Sequence, residues 1–207
     1  MHKFDDDSIE ALRNIILLRR DVRGNRFLNR KIKNKVMNEL LEAANNAPSV
    51  GFSQPWKFII VKSDKKREKI YNNFQKENKK AKKTFKENKI YPNLKLEGIK
   101  ESYLNIAVLY KKPKENILGQ TTQKKVGEYS VVCAIQNFWL MARAHGIGVG
   151  WVSILKPKKI KKILGINDDY KLIGYLTVGY VKEFVSEPEL KTIGWKKKKQ
   201  IKDIKKI

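Results

Sequence analysis

The sequence predicts a single domain of the α+β class, and three observations lead to this class. The chain has 207 residues, of which 41% are hydrophobic, enough to bury a sizeable core. Segments with helical and with strand periodicity are mixed along the chain, and two predicted helices and a loop precede the first strand. There is no internal repeat and no clean domain boundary, and the lysine-rich end at 196–207 is predicted to be a frayed basic tail.

The first two predicted elements are helices. Residues 7–18 begin with Asp7, a common N-cap residue, and Glu10 follows three residues later as in a capping box. Residues 31–46 repeat apolar side chains at helical spacing. Pro48 ends this second helix, because the residue before a proline disfavours helical geometry.

The first predicted strand, at 57–62, follows an uncharged aromatic loop, APSVGFSQPW, at 47–56. Lysines dominate the next stretch, 64–94, and its few apolar residues are scattered. We expect 64–89 to be mostly helical. The stretch as a whole is predicted to be a peripheral helical excursion or a lid.

The second half of the chain alternates strands with helices. The strands predicted there are 104–111, 147–155 and 173–182. An apolar helix is predicted over 128–146, ending at Gly146, and a short helix over 156–166. Because the longer helix is apolar around a wide arc, we expect it to be buried on most sides, with Cys133 as a buried, structural thiol.

The composition excludes several classes of protein. The formal net charge is +25 at pH 7, but the lysines are dispersed and no known nucleic-acid motif accompanies them, so we expect no specific nucleic-acid binding. Non-specific attraction to polyanions is expected at this charge. One cysteine and two histidines exclude a disulfide and a thiolate zinc site. No signal-peptide pattern and no membrane-spanning apolar run is visible, which predicts a cytoplasmic protein.

Arginine is concentrated near the start of this lysine-rich chain. Six of the eight arginines lie between residues 13 and 30, around the segment LRRDVRGNRF at 18–27. The planar guanidinium binds phosphate bidentately, which predicts a phosphate clamp. The alternative is a solvated helix end whose cations stabilise the helix dipole. Asp21 lies among these arginines as a counter-charge or as a proton-handling carboxylate, and the spacing alone favours the counter-charge.

A second candidate stretch is GIGVGWVSI at 146–154. A helix precedes its glycines and a strand follows, which is the reverse of the Rossmann order. Gly146, Gly148 and Gly150 lack side chains, so their backbone is predicted to be open to a flat ligand, with the Ser153 hydroxyl near the same surface. The alternative is a tight joint between helix and strand.

The loop at 47–56 offers backbone amides, the Ser49 hydroxyl and an aromatic wall at Trp56, a set that suits a planar heteroaromatic ligand. The sequence contains no nucleophile elbow, no histidine-based triad and no obvious catalytic carboxylate pair. A bound cofactor or substrate must therefore supply the reactivity of any enzyme built on this chain.

Five stretches together resemble the nitroreductase-like flavoprotein superfamily and, within it, the 5,6-dimethylbenzimidazole synthase branch. They are RRDVR at 19–23, APSVGFSQPW at 47–56, KLEGIKESYLNIAV at 95–108, EYSVVCAIQNFWLMARAHGIGVGWVSI at 128–154 and EPELKTIGW at 187–195. The resemblance implies one nitroreductase-like, flavin-binding domain over 1–195. Its fold would be a mixed, mainly antiparallel sheet flanked by helices, in an intertwined homodimer with flavin sites at the interface.

The resemblance also implies which residues hold FMN. These are Arg19, Arg20, Asp21, Val22, Arg23, Ser49, Leu104, Gly150, Trp151 and Ser153. The arginines would bind the phosphate, whereas Leu104 and the strand at 148–153 would line the isoalloxazine. Asp21 and Ser153 match positions near the reactive flavin, which makes both candidate catalytic residues and strengthens a chemical role for Asp21. Phe52 stands where ordinary nitroreductases usually carry asparagine, which favours the synthase branch.

The reaction implied by this branch consumes reduced FMN as a substrate together with molecular oxygen. Its products would be 5,6-dimethylbenzimidazole, the lower ligand of vitamin B12, and erythrose 4-phosphate. A separate NAD(P)H-dependent flavin reductase would supply the reduced FMN. Two alternatives stay open: an NAD(P)H-dependent FMN nitroreductase or flavin reductase, and a non-catalytic basic module that binds flavin or nucleic acid.

Overall fold

The computed structural model describes residues 3–199, and its centre is a four-stranded sheet. The strands are β1 (Trp56–Val61), β2 (Leu104–Lys111), β3 (Ile147–Trp151) and β4 (Tyr170–Tyr180). Their order across the sheet is β1-β2-β4-β3, and each neighbouring pair is antiparallel. The predicted α+β class and the mainly antiparallel sheet are confirmed. Of the basic tail predicted at 196–207, residues 200–207 lie outside the described residues.

Helices cover both faces of this sheet. They are α1 (Asp6–Leu18), α2 (Asn34–Asn45), α3 (Asp64–Thr84), α4 (Val126–Ala144), α5 (Pro157–Leu164) and α6 (Glu189–Thr192). On one face, α2 and α4 pack against Leu104, Ile106 and Val108 of β2. On the other face, α3 and α5 pack against Ala107 and Leu109 of the same strand. The alternation of side chains along β2 therefore places its apolar residues in two separate cores.

The structure corrects the expectation of a peripheral excursion for the first part of 64–94. Ile70 of α3 is fully buried and Phe74 nearly so, and both belong to the second core. The sequence conceals this face because polar and charged side chains, eight of them lysines, occupy most of the remaining positions of the helix. Helix α3 ends at Thr84, before the predicted 89, and the chain beyond it contributes to the cavity described below.

Two further expectations about secondary structure are wrong. The N-cap of α1 is Asp5, whose carboxylate accepts a hydrogen bond from the Ser8 backbone N–H at 2.9 Å. Asp7 lies within the first turn instead, and Glu10 forms an ion pair with Arg13 at 3.2 Å. Strand β3 ends at Trp151 rather than at 155. The Val152 N–H still donates to the Tyr175 carbonyl of β4 at 2.8 Å, and the chain then turns toward α5, with the Leu155 N–H bonded to the Ser153 carbonyl at 2.8 Å.

Helix α4 is buried on one side only, so the predicted burial of Cys133 is also wrong. Cys133 is exposed, as are Tyr129, Val132 and Met141 on the same helix. Helix α1 buries none of its residues and presents Ile9, Leu12, Ile16 and Leu17 to solvent. The wide apolar arc of α4 thus covers the core with one half and leaves the other half uncovered in a single chain. Within residues 3–199, no helix is both long and apolar enough to cross a bilayer.

The turn that leads into β2 is held by a buried arginine, Arg67 of α3. Its guanidinium donates hydrogen bonds to the carbonyls of Ile99 at 2.8 and 2.9 Å, Lys100 at 2.9 Å and Ser102 at 2.5 Å. One side chain therefore satisfies several backbone acceptors that burial would otherwise leave without a donor.

Candidate functional site

A cavity of about 610 Å³ lies where three segments of the chain meet. The segment after α1 contributes arginines and Asp21, the segment 89–96 forms one wall, and the segment 188–193 forms another. The cavity thus joins the predicted phosphate clamp to two stretches that are distant from it in sequence.

Backbone hydrogen bonds fix the segment after α1 along the free edge of β3. The N–H of Val22 donates to the Val149 carbonyl at 3.0 Å, and Asp21 forms an isolated parallel bridge with Val149. The Gly24 N–H donates to the Glu97 carbonyl at 2.8 Å. The sheet and the 89–97 segment therefore hold this short stretch from both sides, and its charged side chains are directed by a rigid backbone.

The glycines of β3 make this contact possible, which differs from the role predicted for them. A Cβ atom on Gly150 would collide with the Val22 carbonyl oxygen, and one on Gly148 would lie 2.8 Å from a Val22 methyl. The space left by the missing side chains is filled by Val22, itself buried. The backbone at these two glycines is predicted from the sequence to face a ligand. It faces Val22 instead, and this contact brings the neighbouring Asp21 and Arg23 close to the sheet.

We expect Gly150→Ala to displace Val22 and hence Asp21 and Arg23, because the clash is with backbone and has no flexible side chain to absorb it. The affinity for the FMN that the resemblance implies should fall by at least about tenfold. The measurement is a titration of FMN fluorescence. Gly165→Ala is the control: at φ +75° the alanine strains the local backbone, but nothing lies within 4 Å of the added Cβ and Gly165 is not among the residues that line the cavity. Equal affinities for the Gly150 and Gly165 variants would contradict this interpretation.

The Asp21 carboxylate is anchored at both oxygens. Oδ1 accepts a hydrogen bond from the Trp151 backbone N–H at 3.1 Å, and Oδ2 pairs with the Arg23 guanidinium. Burial raises the pKa of Asp21 above its ordinary value, while Arg23 and the Trp151 N–H oppose the rise. Asp21 is therefore a counter-charge to Arg23. Because its pKa is raised, its carboxylate also takes up a proton at a higher pH than an exposed aspartate does. Val22, Gly150 and Trp151 support this arrangement from behind and are not among the lining residues of the cavity.

The arginines of the clamp join the walls of the cavity. Arg23 donates to the carbonyls of Leu96 at 3.3 Å and Trp151 at 3.4 Å. Arg20 donates to the carbonyl of Ser186, and its Nε is buried without a hydrogen-bond partner among the described residues.

The arginine cluster divides in the structure. Arg19, Arg20 and Arg23 line the cavity. Arg19 also lies over the Trp139 ring, 4.9 Å from its centroid, and burial lowers its pKa. Arg13 pairs with Glu10 on the exposed face of α1, and Arg30 stacks on a tyrosine ring.

Sequence reasoning missed most of the remaining lining. Lys89 adds positive charge, Lys95 is paired with Glu97 at 3.0 Å and with Glu101 at 2.9 Å, and Glu189 adds a second carboxylate. The apolar lining residues of these walls include Ile90, Leu94, Leu96, Leu190 and Ile193. The stretch EPELKTIGW is visible as a motif, but nothing in its composition shows that it covers the arginines.

An aromatic cluster fastens the two outer walls to each other. The ring of Phe85 stacks on Tyr91 at 4.8 Å between centroids, and Trp195 meets Phe85 at 5.7 Å and Tyr91 at 6.2 Å. These contacts tie segment 85–96 to segment 186–195, and the two segments together are called the cover of the cavity below. The end of the 64–94 stretch, expected to be a peripheral excursion or a lid, lines the cavity, and a role as a lid stays a prediction.

Three predicted site residues lie outside the cavity of the single chain and away from its supporting strand contacts. Leu104 is buried in the core between the sheet and α4. Ser153 is exposed just beyond β3, two residues after Trp151. Ser49 is half-buried in its own loop, where its hydroxyl accepts a hydrogen bond from the Gln54 N–H at 3.1 Å. None of the three is among the residues that line the cavity.

The Ser49 loop has an unusual backbone. Phe52 and Gln54 have φ values of 51° and 42°, a region that non-glycine residues rarely adopt, and Gly51 precedes them at 54°. The Phe52 side chain is 83% exposed. Hydrogen bonds hold the loop, including one from the Val50 N–H to the Ser130 hydroxyl at 3.1 Å. Strained, well-anchored loops that present an apolar side chain to solvent commonly serve recognition.

The cavity fits a phosphorylated ligand with an apolar ring. Its volume lies within the range of small-molecule sites. Its lining combines three arginines and two lysines with a set of aliphatic side chains, and arginine forks bind phosphate bidentately. The buried, unpartnered Nε of Arg20 is a donor that such a phosphate could satisfy. No cluster of metal-ligating side chains occurs within residues 3–199.

Comparisons with known proteins agree with this description. The model of the Nitroreductase family matches residues 16–180. The chain is 37% identical over 200 residues to a 5,6-dimethylbenzimidazole synthase of Rhodospirillum rubrum, with 95% of this chain and 94% of that protein covered. A BluB-like flavoprotein from Clostridium difficile superposes with a TM-score of 0.70 at 20% identity, over 95% of this chain and 98% of that one.

A second solved structure, iodotyrosine deiodinase bound to FMN and 3-iodo-L-tyrosine, superposes with a TM-score of 0.68 at 22% identity. The alignment covers 84% of this chain and 91% of that one. At these identities the two structures establish the fold, and the curated relative extends the likeness to sequence over nearly the whole chain.

Proposed function

The chain belongs to the nitroreductase family, and we propose that it is a 5,6-dimethylbenzimidazole synthase acting on reduced FMN with molecular oxygen. The observation that carries this proposal is the cavity lined by Arg19, Arg20 and Arg23 together with the Asp21 carboxylate, which is anchored by Arg23. The sequence identity of 37% to a 5,6-dimethylbenzimidazole synthase, in an alignment that covers 95% of the chain, supports the same conclusion. The proposed products are 5,6-dimethylbenzimidazole and erythrose 4-phosphate.

The arginines would bind the FMN phosphate, and the aliphatic walls would enclose the flavin. When bound, reduced FMN would supply the electrons and the carbon skeleton of the product. The protein would contribute a fixed position for the phosphate, exclusion of water beneath the cover, and a group that accepts a proton. Val22 would contribute by holding the backbone between Asp21 and Arg23 in place.

Asp21 is proposed as the general base. Its carboxylate is fixed by Trp151 and Arg23 and lines the cavity, so it can accept a proton from the ribityl chain of the substrate. Trp151 and Gly150 support it from the strand. Ser153 follows two residues later, and we propose that its hydroxyl orients the ring or the oxygen in the assembled site.

A homodimer is proposed because the single chain leaves apolar surfaces uncovered. The exposed faces of α1 and α4 carry leucine, isoleucine, valine and methionine side chains, and such a surface is typical of an interface. The Ser49 loop, with Phe52 projecting into solvent, would then reach the cavity of the partner subunit. This arrangement would bring Ser49 to the flavin although it is remote from the cavity of its own chain.

Val132→Asp is expected to weaken this dimer, because it places a charge on the uncovered face of α4. Size-exclusion chromatography with light scattering should show the mass of two chains for the parent protein and of one chain for the variant. Asn72→Asp, which adds the same charge to the exposed face of α3, is the control and should stay dimeric. A parent protein with the mass of one chain would overturn the proposed dimer.

The reduced FMN is proposed to come from a separate NAD(P)H-dependent flavin reductase, since the reaction consumes the flavin. We propose the cytoplasm as the compartment that holds both proteins. The alternative of a nitroreductase requires NAD(P)H to reach the flavin ring directly. The comparison with and without an added flavin reductase, described next, separates this alternative from the synthase.

The test compares the protein with and without an added flavin reductase. With FMN, NADH, air and an added flavin reductase, the protein should form 5,6-dimethylbenzimidazole, detected by chromatography and mass spectrometry. Without the reductase, the protein with FMN and a nitroaromatic compound should not oxidise NADH. Rapid NADH oxidation under the second condition, without loss of FMN, would assign the chain to the nitroreductase alternative.

A further inference from the structure

Seven of the lysines outside the proposed flavin site line one groove. Helices α3 and α5 lie against each other on the second core, and a groove of about 610 Å³ runs between them. The charged residues along it are Lys69, Lys76, Lys80, Lys156, Lys158, Lys159 and Lys162, with Glu77 as the one acidic side chain of this lining. These lysines look dispersed along the sequence, but the fold brings two helical rows together.

The positive charge in the groove is extended rather than convergent. Lys69, Lys76 and Lys80 recur along one face of α3, and the distance from the first to the last is about 16 Å at about 1.5 Å per residue. The lysines of α5 form the facing row. A compact phosphate needs several donors around one point, whereas a row of about 16 Å on α3, with a shorter group of lysines opposite it on α5, suits a ligand whose charges repeat along a line.

Most of these charges are available. In the part of the chain that the structure describes, Lys80 forms an ion pair with Glu77 at 2.8 Å. Four other lysines of the groove are exposed and form no ion pair within 4.0 Å among these residues. They are Lys69, Lys76, Lys159 and Lys162. The Asn73 side-chain oxygen accepts the Lys156 backbone N–H at 2.9 Å and so belongs to the helix junction. The groove shares no lining residue with the flavin cavity.

We propose that this lysine groove binds the phosphodiester backbone of single-stranded nucleic acid without reading its sequence. A nucleic-acid strand carries one negative charge at each regular step, which matches two rows of cations. The residues that line the groove include no aromatic side chain, so bases have no stacking platform and sequence preference is not expected. A single strand is flexible and can enter a groove of about 610 Å³ between two helices, whereas a stiff duplex can contact only its rim.

An acidic protein is the competing occupant, and the groove fits it less well. A stable protein interface needs more than about 1,000 Å² of complementary surface with an apolar centre. The lining of this groove consists of lysine, asparagine and one glutamate, which offers no such centre.

The experiment measures binding of a fluorescein-labelled 20-nucleotide single-stranded DNA by anisotropy between 50 and 200 mM salt. The groove variant changes four lysines to glutamine: K69Q, K76Q, K159Q and K162Q. The control variant removes four exposed lysines elsewhere: K31Q, K35Q, K114Q and K124Q. Both lower the net charge by the same amount, so any difference between them reports position rather than total charge.

We expect the groove variant to bind at least about tenfold more weakly at 100 mM salt, and the control to stay within about threefold of the parent. The slope of log affinity against log salt should become shallower by about 0.7 for each phosphate that the variant no longer neutralises. Equal weakening of both variants would overturn the proposal in favour of bulk charge. Competition by polyglutamate as effective as competition by unlabelled DNA would also overturn it and favour an acidic protein.

The FMN affinity and melting temperature of both variants identify any misfolded protein. If the fourfold variant does not fold, the pairs K69Q/K76Q and K159Q/K162Q replace it, each compared with K31Q/K35Q. If the parent protein itself binds no FMN, the proposed flavin site fails, whereas the comparison of the groove variant with its control still stands, because the cavity and the groove share no lining residue.

Discussion

Asp21→Asn is expected to lower the formation of 5,6-dimethylbenzimidazole by at least about a hundredfold while leaving the affinity for FMN within about threefold. Asparagine keeps an oxygen that can accept the Trp151 N–H, which Asp21 accepts at 3.1 Å, but it cannot take up a proton. Removal of a positioned general base usually costs about 10² to 10⁴ in rate. The measurements are single-turnover product formation and a titration of FMN fluorescence.

Asp169→Asn is the control for this substitution, because Asp169 lies outside the cavity lining and the change is chemically the same. The control should form product at the parent rate. Product formation by Asp21→Asn at the parent rate would show that Asp21 is only the counter-charge of Arg23. A large loss of FMN affinity would place its role in the phosphate clamp.

The pH dependence of the reaction follows from the position of Asp21. Burial raises the pKa of this carboxyl, with Arg23 opposing the rise. A base must be ionised, so the rate at saturating reduced FMN should fall as the pH falls through this raised pKa. The decline should therefore begin at a higher pH than an exposed aspartate, with a pKa of about 3.9, would allow. The acidic limb should be absent from the residual rate of Asp21→Asn.

Arg67→Met is expected to lower the free energy of unfolding by about 3–5 kcal/mol. The methionine fills part of the volume but leaves the carbonyls of Ile99 and Ser102 without their donor, and each buried unsatisfied acceptor costs about 1–3 kcal/mol. Urea denaturation measures the change. Because the same turn leads from the cavity wall at 89–96 into β2, the FMN affinity of the folded fraction should fall as well.

Lys66→Met is the control for Arg67→Met, since Lys66 is exposed on the same helix and a surface change there should stay within about 0.5 kcal/mol. Arg67→Lys should recover only a minor part of the stability, because one ammonium cannot reach carbonyls that the guanidinium fork bonds in parallel. A decrease below about 1 kcal/mol for Arg67→Met would mean that water replaces the guanidinium.

The sequence predicts those parts of the fold that depend on local pattern. The pattern places strand β2 at 104–111, and the strand is observed at Leu104–Lys111, because it is an apolar, partly β-branched run bounded by polar residues. The predicted bounds of α4 agree with the observed ones within two residues. The exposure of Cys133 cannot be predicted, since a wide apolar arc does not show which side faces the core and which side is left for a partner.

The candidate site is predictable only in part. The arginine cluster and Asp21 are visible because arginine is scarce in a lysine-rich chain. The cover is not visible, because it depends on contacts between Phe85, Tyr91 and Trp195, and the last of these lies far from the other two in sequence. Arg67 carries no sequence signal either, since nothing nearby distinguishes a buried arginine from the cations around it.

The most direct test of the central claim is the fate of FMN in air and under argon. The protein is mixed with FMN, NADH and a separate flavin reductase, and FMN and 5,6-dimethylbenzimidazole are quantified together over time. The proposed function predicts one 5,6-dimethylbenzimidazole formed for each FMN consumed in air, and no consumption of FMN under argon. FMN that stays intact in air while NADH is consumed would contradict the proposed function and leave a flavin-binding oxidoreductase.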